Sequence, residues 1–331
     1  MSLAAKPKLL VVELWGVGDL AIATPFLRAA AERFEVTLLA KPVALELQPR
    51  FWPGVAVIPS VAPWTAFRGK YKFLRWPWKE FSHLHRRLAA EQFAFGVSAR
   101  WDPRDHLLLK LAGAKARLGF PRLGSGIFLT DTLSSLTPMA HRYEFWRVAA
   151  KHLGIELPTR GQLTVPAISA RKLVLVHTGA RLPARVWPLA SYRALILRLR
   201  EDGCAVQVIC DPDQQSWWQQ AGETNAASPQ RIAELLSWLD QAAVFVGNDS
   251  GPGHLAALCG VPTFTFFGPS LPEWFAPLHP EAEWMDDESC RYKPCKDYCR
   301  FPTPRCLENI PVENALPRVQ AFVRSHLRGK P

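Results

Sequence analysis

Short hydrophobic runs alternate with longer amphipathic segments along the chain, and this alternation predicts β-strands separated by α-helices. The run Leu9–Leu14 predicts a buried strand, Leu20–Phe34 predicts a helix, and Val36–Ala40 predicts a second strand. A strand, a helix and a strand in succession are typical of parallel sheets with helices on their faces. The further elements predicted in this half are strands at Val55–Pro59, Phe93–Ser98 and Ala116–Phe120 and a helix around Asp105–Ala112.

A second series begins after a polar, proline-containing segment from about Leu157 to Ala170, which we interpret as a linker. Its predicted strands are Leu173–His177, Ala205–Cys210, Val244–Gly247 and Thr263–Gly268, and its predicted helices are Leu189–Glu201, Pro229–Ala242 and Val312–Leu327. The two series predict an α/β fold of two Rossmann-like domains that face each other across a cleft. We expect an N-terminal domain at 1–165, a C-terminal domain at 166–310, and a helix within 311–331 that packs back on the N-terminal domain.

Composition and charge narrow the classes of protein. The 331 residues suffice for two domains of ordinary size, and 48% hydrophobic with 21% charged residues is typical of a globular, water-soluble protein. No apolar run reaches the roughly 18 residues that a membrane-spanning helix needs, and no separate secretory signal precedes the first strand, so we expect a cytoplasmic location. The net charge of +11 predicts acidic partners: nucleic acid, phosphorylated small molecules or an anionic membrane surface.

The loop after the first predicted strand carries an acid at the start of a helix. In WGVGDLAIATPFLRA, Gly16 and Gly18 lack the spacing and the downstream acid of a dinucleotide-binding fingerprint, so we do not predict NAD binding. Asp19 has two interpretations. It is either a helix cap or a carboxylate at the edge of a cleft that accepts a proton from a substrate hydroxyl.

The loop HTGARLPARVWPLASY, from His177 to Tyr192, carries two arginines between a predicted strand and a predicted helix. Arg181 and Arg185 are either solvated loop residues or a pair of guanidinium groups that clamp a phosphate.

The stretch GNDSGPGHLAALCGVPTFTFFGP, from Gly247 to Pro269, carries an acid, a serine, three glycines and a histidine between two buried strands. One interpretation is a tight turn in which glycine and proline shape the backbone and a polar residue caps the helix. The other is an anion site, because small residues let backbone N–H groups approach a ligand and a helix N-terminus favours negative charge. The residues concerned are Asp249, Ser250, Gly251 and His254.

Together these three loops resemble glycosyltransferase family 9, the heptosyltransferases of lipopolysaccharide core synthesis. The resemblance covers nearly the whole chain in the right order, with the third loop as its most specific part and the weakest match from about Trp52 to Arg104. It implies a GT-B fold and a nucleotide-diphospho-sugar donor, ADP-heptose in the characterised cases. It also implies inversion at the anomeric carbon without a metal or other cofactor.

The resemblance assigns roles to individual residues. Asp19 would be the general base on the acceptor hydroxyl, with Gly18 beside the acceptor, and Arg185 would face the donor diphosphate. One departure is the sequence Cys210-Asp211-Pro212-Asp213, where the family often has small residues and an acid, so the base of the nucleotide stays open. The predicted donor-binding residues are Thr178, Arg181, Asp211, Asp249, Ser250, Gly251 and His254, together with the catalytic Arg185.

The segment Trp64–Arg87, which we name the basic aromatic segment, carries seven basic residues against one acid, with aromatic residues interleaved. It is a solvated loop, a single-stranded nucleic-acid surface, or the surface for an anionic acceptor and a membrane. The resemblance favours the last, with peripheral attachment to the inner face of the inner membrane and no nucleic-acid partner. The predicted acceptor-binding residues here are Arg68, Lys70, Lys72 and Arg75.

Four cysteines near the C-terminus, which we name the cysteine loop, have the spacing C-x4-C-x3-C-x6-C. They are Cys290, Cys295, Cys299 and Cys306. Zinc sites favour closer cysteine pairs, so the spacing fits only in part and reduced thiols are the other interpretation. Some relatives that glycosylate autotransporter proteins hold iron through cysteines, so the resemblance adds iron to zinc as a structural metal.

The predicted function is transfer of a heptose or similar sugar from a nucleotide-diphosphate donor to a lipid-linked, anionic lipopolysaccharide core acceptor. Two alternatives remain at this point. One is a protein-directed, autotransporter-type heptosyltransferase, which needs a metal in the cysteine loop. The other is a non-enzymatic protein that binds nucleic acid through the basic aromatic segment.

Overall fold

Two units make up the computed structural model, which describes residues 5–65, 72–134, 136–168, 171–295 and 299–327. The chain divides into Met1–Pro158 and Thr159–Pro331, whereas the sequence places the boundary after residue 165. We call these parts the N-terminal unit and the C-terminal unit. Among the described residues, no helix has both the length and the hydropathy that crossing a membrane requires.

The N-terminal unit is built on a parallel sheet of six strands in the order β3-β2-β1-β4-β5-β6. Its strands are β1 Lys8–Glu13, β2 Glu35–Ala40, β3 Val55–Pro59, β4 Phe95–Val97, β5 Ala116–Gly119 and β6 Asp131–Thr132. Its helices are α1 Val17–Arg33, α2 Ala44–Phe51, α3 Trp78–Ala90, α4 Pro103–Leu111 and α5 Arg142–His152. Strand β1 has β2 on one side and β4 on the other, so the strand order reverses there. The loops that follow β1 and β4 are therefore where such a sheet places a ligand.

The C-terminal unit has a parallel sheet of five strands in the order β11-β10-β9-β7-β8. Its strands are β7 Leu173–His177, β8 Ala205–Ile209, β9 Ala242–Asn248, β10 Thr263–Phe267 and β11 Glu283–Asp286. Its helices are α6 Leu189–Glu201, α7 Gln215–Gln220, α8 Ile232–Leu239, α9 Gly251–Leu258, α10 Pro272–Phe275, α11 Arg305–Glu308 and α12 Val312–Leu327. Here the order reverses at β7, which lies between β8 and β9.

The central strands form because they are apolar on both faces, as parallel strands must be when helices cover both sides of a sheet. All seven residues of β9 and all five of β10 are buried. Helix α1 packs on α5, where the rings of Phe26 and Trp146 stack with centroids 4.8 Å apart. The predicted α/β fold with two Rossmann-like parallel sheets is confirmed.

The C-terminal helix α12 packs on its own unit, against α6 and β9. Val319, Phe322 and Val323 are buried in the same core as the strands, and the Phe322 ring meets Phe264 with centroids 5.6 Å apart. The apolar face of α12 therefore lies in the core of the C-terminal unit. The packing of this helix on the N-terminal domain stays a prediction.

Candidate functional site

Asp19 lies in the first turn of α1, at the carboxyl end of β1. Its Oδ2 accepts a hydrogen bond from the backbone N–H of Gly16 at 3.0 Å. The N-cap of α1 is therefore Gly16 rather than Asp19, and Asp19 contributes to the cap from the third helical position. Its Oδ1 accepts a hydrogen bond from Arg100 Nη2, so the carboxylate also forms an ion pair. The side chain of Asp19 stays 20% exposed and is therefore open to a ligand.

Arg100, which the sequence analysis did not single out, is the centre of the charged groups around Asp19. Its Nε donates to Glu13 Oε1 at 3.3 Å, and its guanidinium lies 4.7 Å from the ring centroid of Trp15. Glu13 ends β1 and is only 2% exposed. The strand pairing of β1 with β4 brings these residues together, because Glu13 ends one strand and Arg100 follows the other.

Arg142 begins α5 and carries a second guanidinium into the same region. It stacks over the rings of Trp101 and Phe145, at 4.5 and 5.4 Å from their centroids. Burial, together with the positive charge of Arg100, lowers the pKa of Arg142 to about 10. Two arginines and two carboxylates thus share one edge of the sheet, a concentration of charge suited to binding a polar, anionic ligand.

In the C-terminal unit, the fully buried amide of Asn248 ties the loop after β7 to the end of β9. Its Oδ1 accepts from the backbone N–H of Trp187 and from the hydroxyl of Tyr192, both at 2.9 Å. Its Nδ2 donates to the carbonyls of Thr178 at 2.9 Å and Gly179 at 3.2 Å. Asn248 was missed in the sequence, although a polar residue at the end of an apolar strand could have revealed it.

Arg185 and Asp249 come together beside this anchor. Arg185 Nη1 donates to Asp249 Oδ2 at 3.1 Å, and the hydroxyl of Ser270 donates to the same oxygen. The Asp249 side chain is 4% exposed and that of Arg185 is 25% exposed. A buried carboxylate therefore fixes a guanidinium that still reaches solvent.

Helix α9 begins at Gly251, with Ser250 as its N-cap directly after Asp249. The Ser250 hydroxyl is buried, and it has no hydrogen-bond partner among the described residues. A Cβ on Gly247 would lie 2.9 Å from the carbonyl oxygen of His177, so close backbone packing requires glycine there. Gly251 is the first residue of α9 and His254 lies in its first turn, 6% exposed. The tight turn and the anion site are therefore compatible interpretations of one stretch.

Two further residues predicted to bind the donor have internal roles. Thr178 is fully buried, and its hydroxyl donates to Gln214 Oε1 at 2.9 Å and accepts from Trp218 Nε1 at 3.0 Å. Asp211 lies against Gly179, where an added Cβ would come 2.3 Å from its carboxyl carbon. Burial raises the pKa of Asp211, and so does the neighbouring charge of Asp213.

The predicted acceptor-binding residues are only partly described. Arg68 and Lys70 lie outside the described residues, while Lys72 and Arg75 are exposed. Gly18 lies in the first turn of α1 beside Asp19.

The described part of the basic aromatic segment has a packed side and an exposed side. Trp64 is buried, with ring centroids 5.5 Å from Trp76 and 5.9 Å from Phe81. By contrast, Leu74 is 99% exposed and Trp78 is 57% exposed.

The four cysteines of the cysteine loop are free thiols. No three His, Cys, Asp or Glu side chains in the described ranges converge closely enough to hold a metal ion. Burial raises the pKa of the Cys306 thiol to about 11, so this side chain is a neutral thiol near neutral pH. The structural zinc or iron predicted for the cysteine loop stays a prediction.

A protein-family comparison covers two of the three predicted loops. The family model described as glycosyltransferase family 9 (heptosyltransferase) matches residues 143–302, which contain Arg185, Asn248, Asp249 and α9. The predicted family resemblance is confirmed. The predicted enzyme class, a glycosyltransferase, is confirmed with it.

Individual relatives agree with the family. The lipopolysaccharide heptosyltransferase 1 of Pseudomonas aeruginosa is 35% identical over 118 residues, which are 34% of this chain and 33% of that protein. The alignment thus spans about a third of this curated relative.

Solved structures show the same fold over nearly the full length. The E. coli heptosyltransferase WaaC, solved with ADP, is 17% identical, with a TM-score of 0.72 over 95% of this chain and 99% of that one. The family 9 glycosyltransferase of Veillonella parvula is 16% identical, with a TM-score of 0.76 over 98% and 99%. The GT-B class predicted for the fold agrees with these structures.

Proposed function

We propose that the protein transfers a heptose from ADP-heptose to an anionic lipopolysaccharide core acceptor, with inversion at the anomeric carbon and without a metal. The observation that carries the proposal is the Arg185–Asp249–Ser270 cluster at the start of α9, inside the segment that matches family 9. Two of the relatives named above support the choice of sugar and acceptor. The Pseudomonas aeruginosa protein is a lipopolysaccharide heptosyltransferase, and WaaC is a heptosyltransferase that was solved with ADP.

The C-terminal unit supplies what a leaving nucleoside diphosphate needs. As the sugar–phosphate bond breaks, negative charge grows on the diphosphate, and fixed cationic groups and N–H donors stabilise it most when they need no rearrangement. Arg185 is held in place by Asp249, and α9 directs its positive N-terminus to the same side. Ser250 and His254, in or beside the first turn of α9, would complete the contacts to the phosphates, and Arg181 would add an exposed guanidinium.

The N-terminal unit supplies the base. Asp19 would accept the proton of the acceptor hydroxyl while that oxygen attacks the anomeric carbon and the bond to the diphosphate breaks. One displacement from the face opposite the leaving group inverts the configuration. Arg142 and the exposed basic residues Lys72 and Arg75 would attract the phosphates or carboxylates of the acceptor.

Partners and location follow from the same proposal. A lipid-linked acceptor lies in a membrane, so the enzyme would work in the cytoplasm at the inner face of the inner membrane. The exposed side chains of Leu74 and Trp78 and the basic residues around them suit a peripheral contact with anionic lipid.

Nucleotide binding by the Asp249→Ala variant tests the donor site. Calorimetric titration with ADP, UDP and GDP should show selective ADP binding by the wild-type protein. The substitution frees Arg185 from its buried partner and should weaken ADP binding about tenfold or more, since a misplaced guanidinium loses charge-assisted bonds to phosphate. The matched control is Glu201→Gln, an exposed acid on α6 that pairs only with Arg198 in the described structure. Equal ADP affinity in the wild type and Asp249→Ala would refute the site.

A further inference from the structure

A buried acid, Glu13, is in contact with the ion pair of Asp19, and the proposed mechanism gives it no task. We propose that Glu13 is a positioning residue that shares the charge of Arg100 with Asp19, and so keeps Asp19 basic enough to take a proton. This inference rests on the proposed function, because it takes Asp19 as the base.

Among its hydrogen-bond partners, Glu13 contacts one charged side chain, that of Arg100. Its side chain is 2% exposed, and Oε1 accepts from the backbone N–H of Trp15 at 3.2 Å and from Arg100 Nε at 3.3 Å. Arg100 Nη2 meanwhile donates to Asp19. One guanidinium therefore bridges two carboxylates, one buried and one open to a ligand.

The backbone of Arg100 is held by hydrogen bonds on both sides, which fixes the position from which its side chain reaches the two acids. Its N–H donates to Ser98 Oγ at 3.2 Å, and its carbonyl accepts from His106 Nε2 at 3.0 Å. His106 is itself fixed by Ser125, with 2.8 Å between Nδ1 and Oγ. A Cβ on Gly119 would lie 2.7 Å from His106 Nε2, so even the strand behind this histidine is fitted to it.

The charges in this group influence each other strongly. Burial raises the pKa of Glu13, while the positive charge of Arg100 acts against that rise and the negative charge of Asp19 adds to it. Burial by itself would lower the pKa of Arg100, but the carboxylates of Asp19 and Glu13 raise it above its ordinary value. The other charged groups nearby are Arg142 from α5, Asp105 from α4 and Asp102 before α4.

The direction of the effect on Asp19 follows from these signs. A positive neighbour stabilises the carboxylate form and lowers its pKa, whereas a negative neighbour raises it. Arg100 alone would make Asp19 a weak base. Glu13 offsets this by drawing on the same guanidinium and by adding a negative charge of its own.

The pKa of Asp19, measured by carbon-13 NMR of its side-chain carboxyl and assigned with Asp19→Asn, tests the inference without any substrate. Glu13→Gln should lower this pKa and Arg100→Met should raise it, each by about one unit, in line with shifts for close charge pairs. Glu144→Gln, an acid on α5 paired with Arg147, is the control and should leave it unchanged. If the pKa of Asp19 moves in the same direction in Glu13→Gln and Arg100→Met, or does not move, the inference is overturned.

The double variant Glu13→Gln/Arg100→Met shows whether Glu13 acts on Asp19 through Arg100. It also tests the inference if Glu13→Gln alone fails to fold. Without Arg100, Glu13 is a buried acid with no cation bonded to it and becomes neutral, because an unpaired charge in the interior is costly. Glu13→Gln should then add less than a third of its effect in the wild type. An undiminished effect in the Arg100→Met background would contradict action through Arg100.

Transfer rates against pH separate this inference from the proposed function. The acidic limb of the rate profile should move to lower pH in Glu13→Gln and to higher pH in Arg100→Met. Suppose that the pKa of Asp19 falls in Glu13→Gln and rises in Arg100→Met, but Asp19→Asn still transfers sugar. The effect of Glu13 on Asp19 would then be supported, and the proposed role of Asp19 as the base would be refuted. If the pKa of Asp19 is the same in the wild type and both variants, while Asp19→Asn loses transfer, only the role of Glu13 would be refuted.

Discussion

At the scale of single residues, the polar groups that matter most are the ones that other side chains hold in place. Asp249 fixes Arg185, Arg100 contacts Asp19, and Asn248 joins two loops. Asp19, Arg185 and Asp249 were predicted from the patterns of their loops. Arg100 and Asn248 were not predicted, because Arg100 lies far from Asp19 in sequence and Asn248 ends an apolar strand.

Asn248→Ala should destabilise the C-terminal unit and weaken ADP binding. The substitution leaves the buried N–H of Trp187 and the buried hydroxyl of Tyr192 without their partner, at a cost of about 1–3 kcal/mol for each such group. Urea unfolding should therefore show a loss of about 3 kcal/mol in the free energy of unfolding. Asn225→Ala, at an exposed asparagine, should change it by less than about 0.5 kcal/mol. Similar values for both variants would contradict the anchoring role of Asn248.

At the scale of elements, helix α3 begins within the basic aromatic segment, at Trp78. Trp64 is buried and its ring packs against Trp76 and Phe81, which favours a structural role for those aromatic side chains over a surface on which bases stack. Trp78 at the helix start and Leu74 just before it are exposed. An exposed tryptophan beside basic residues is typical of a contact with a membrane interface.

Trp78→Ser should reduce binding of the protein to lipid vesicles rich in phosphatidylglycerol. The loss of one interfacial aromatic side chain should lower the bound fraction several-fold in a sedimentation assay, and added salt should lower it further. Trp284→Ser is the matched control, since Trp284 is an exposed tryptophan on β11 of the C-terminal unit. Equal losses in both variants, or no binding by the wild type, would contradict a lipid-facing role of α3.

The elements also show what periodicity can and cannot predict. Strand β7 and helices α6 and α12 have the predicted bounds, because their apolar positions follow one period from end to end. The predicted helix Pro229–Ala242 is shorter in the structure, at Ile232–Leu239, since Ala242 already belongs to β9. Helix α5 was not predicted, although it carries Arg142 and packs on α1.

At the scale of the whole molecule, the fold and the loops proposed to bind the donor were largely predictable, whereas the surroundings of the proposed base were not. Consecutive strands and helices are local features, and so are the glycines, acids and arginines of the three loops. The cluster of Glu13, Asp19, Arg100 and Arg142 depends on strand order, which brings distant loops to one edge of a sheet. The order of the strands in the sheet cannot be read from a single sequence.

The central claim is that this glycosyltransferase moves a heptose by using Asp19 as its base. The most direct test is transfer from ADP-heptose to a heptose-free lipopolysaccharide core, followed by mass spectrometry, in the wild type and Asp19→Asn. The wild type should add one heptose. The variant should lose roughly 10²–10⁴-fold in rate while ADP binds it as tightly as before. Binding of ADP without transfer by the wild type, or wild-type rates in Asp19→Asn, would contradict the claim.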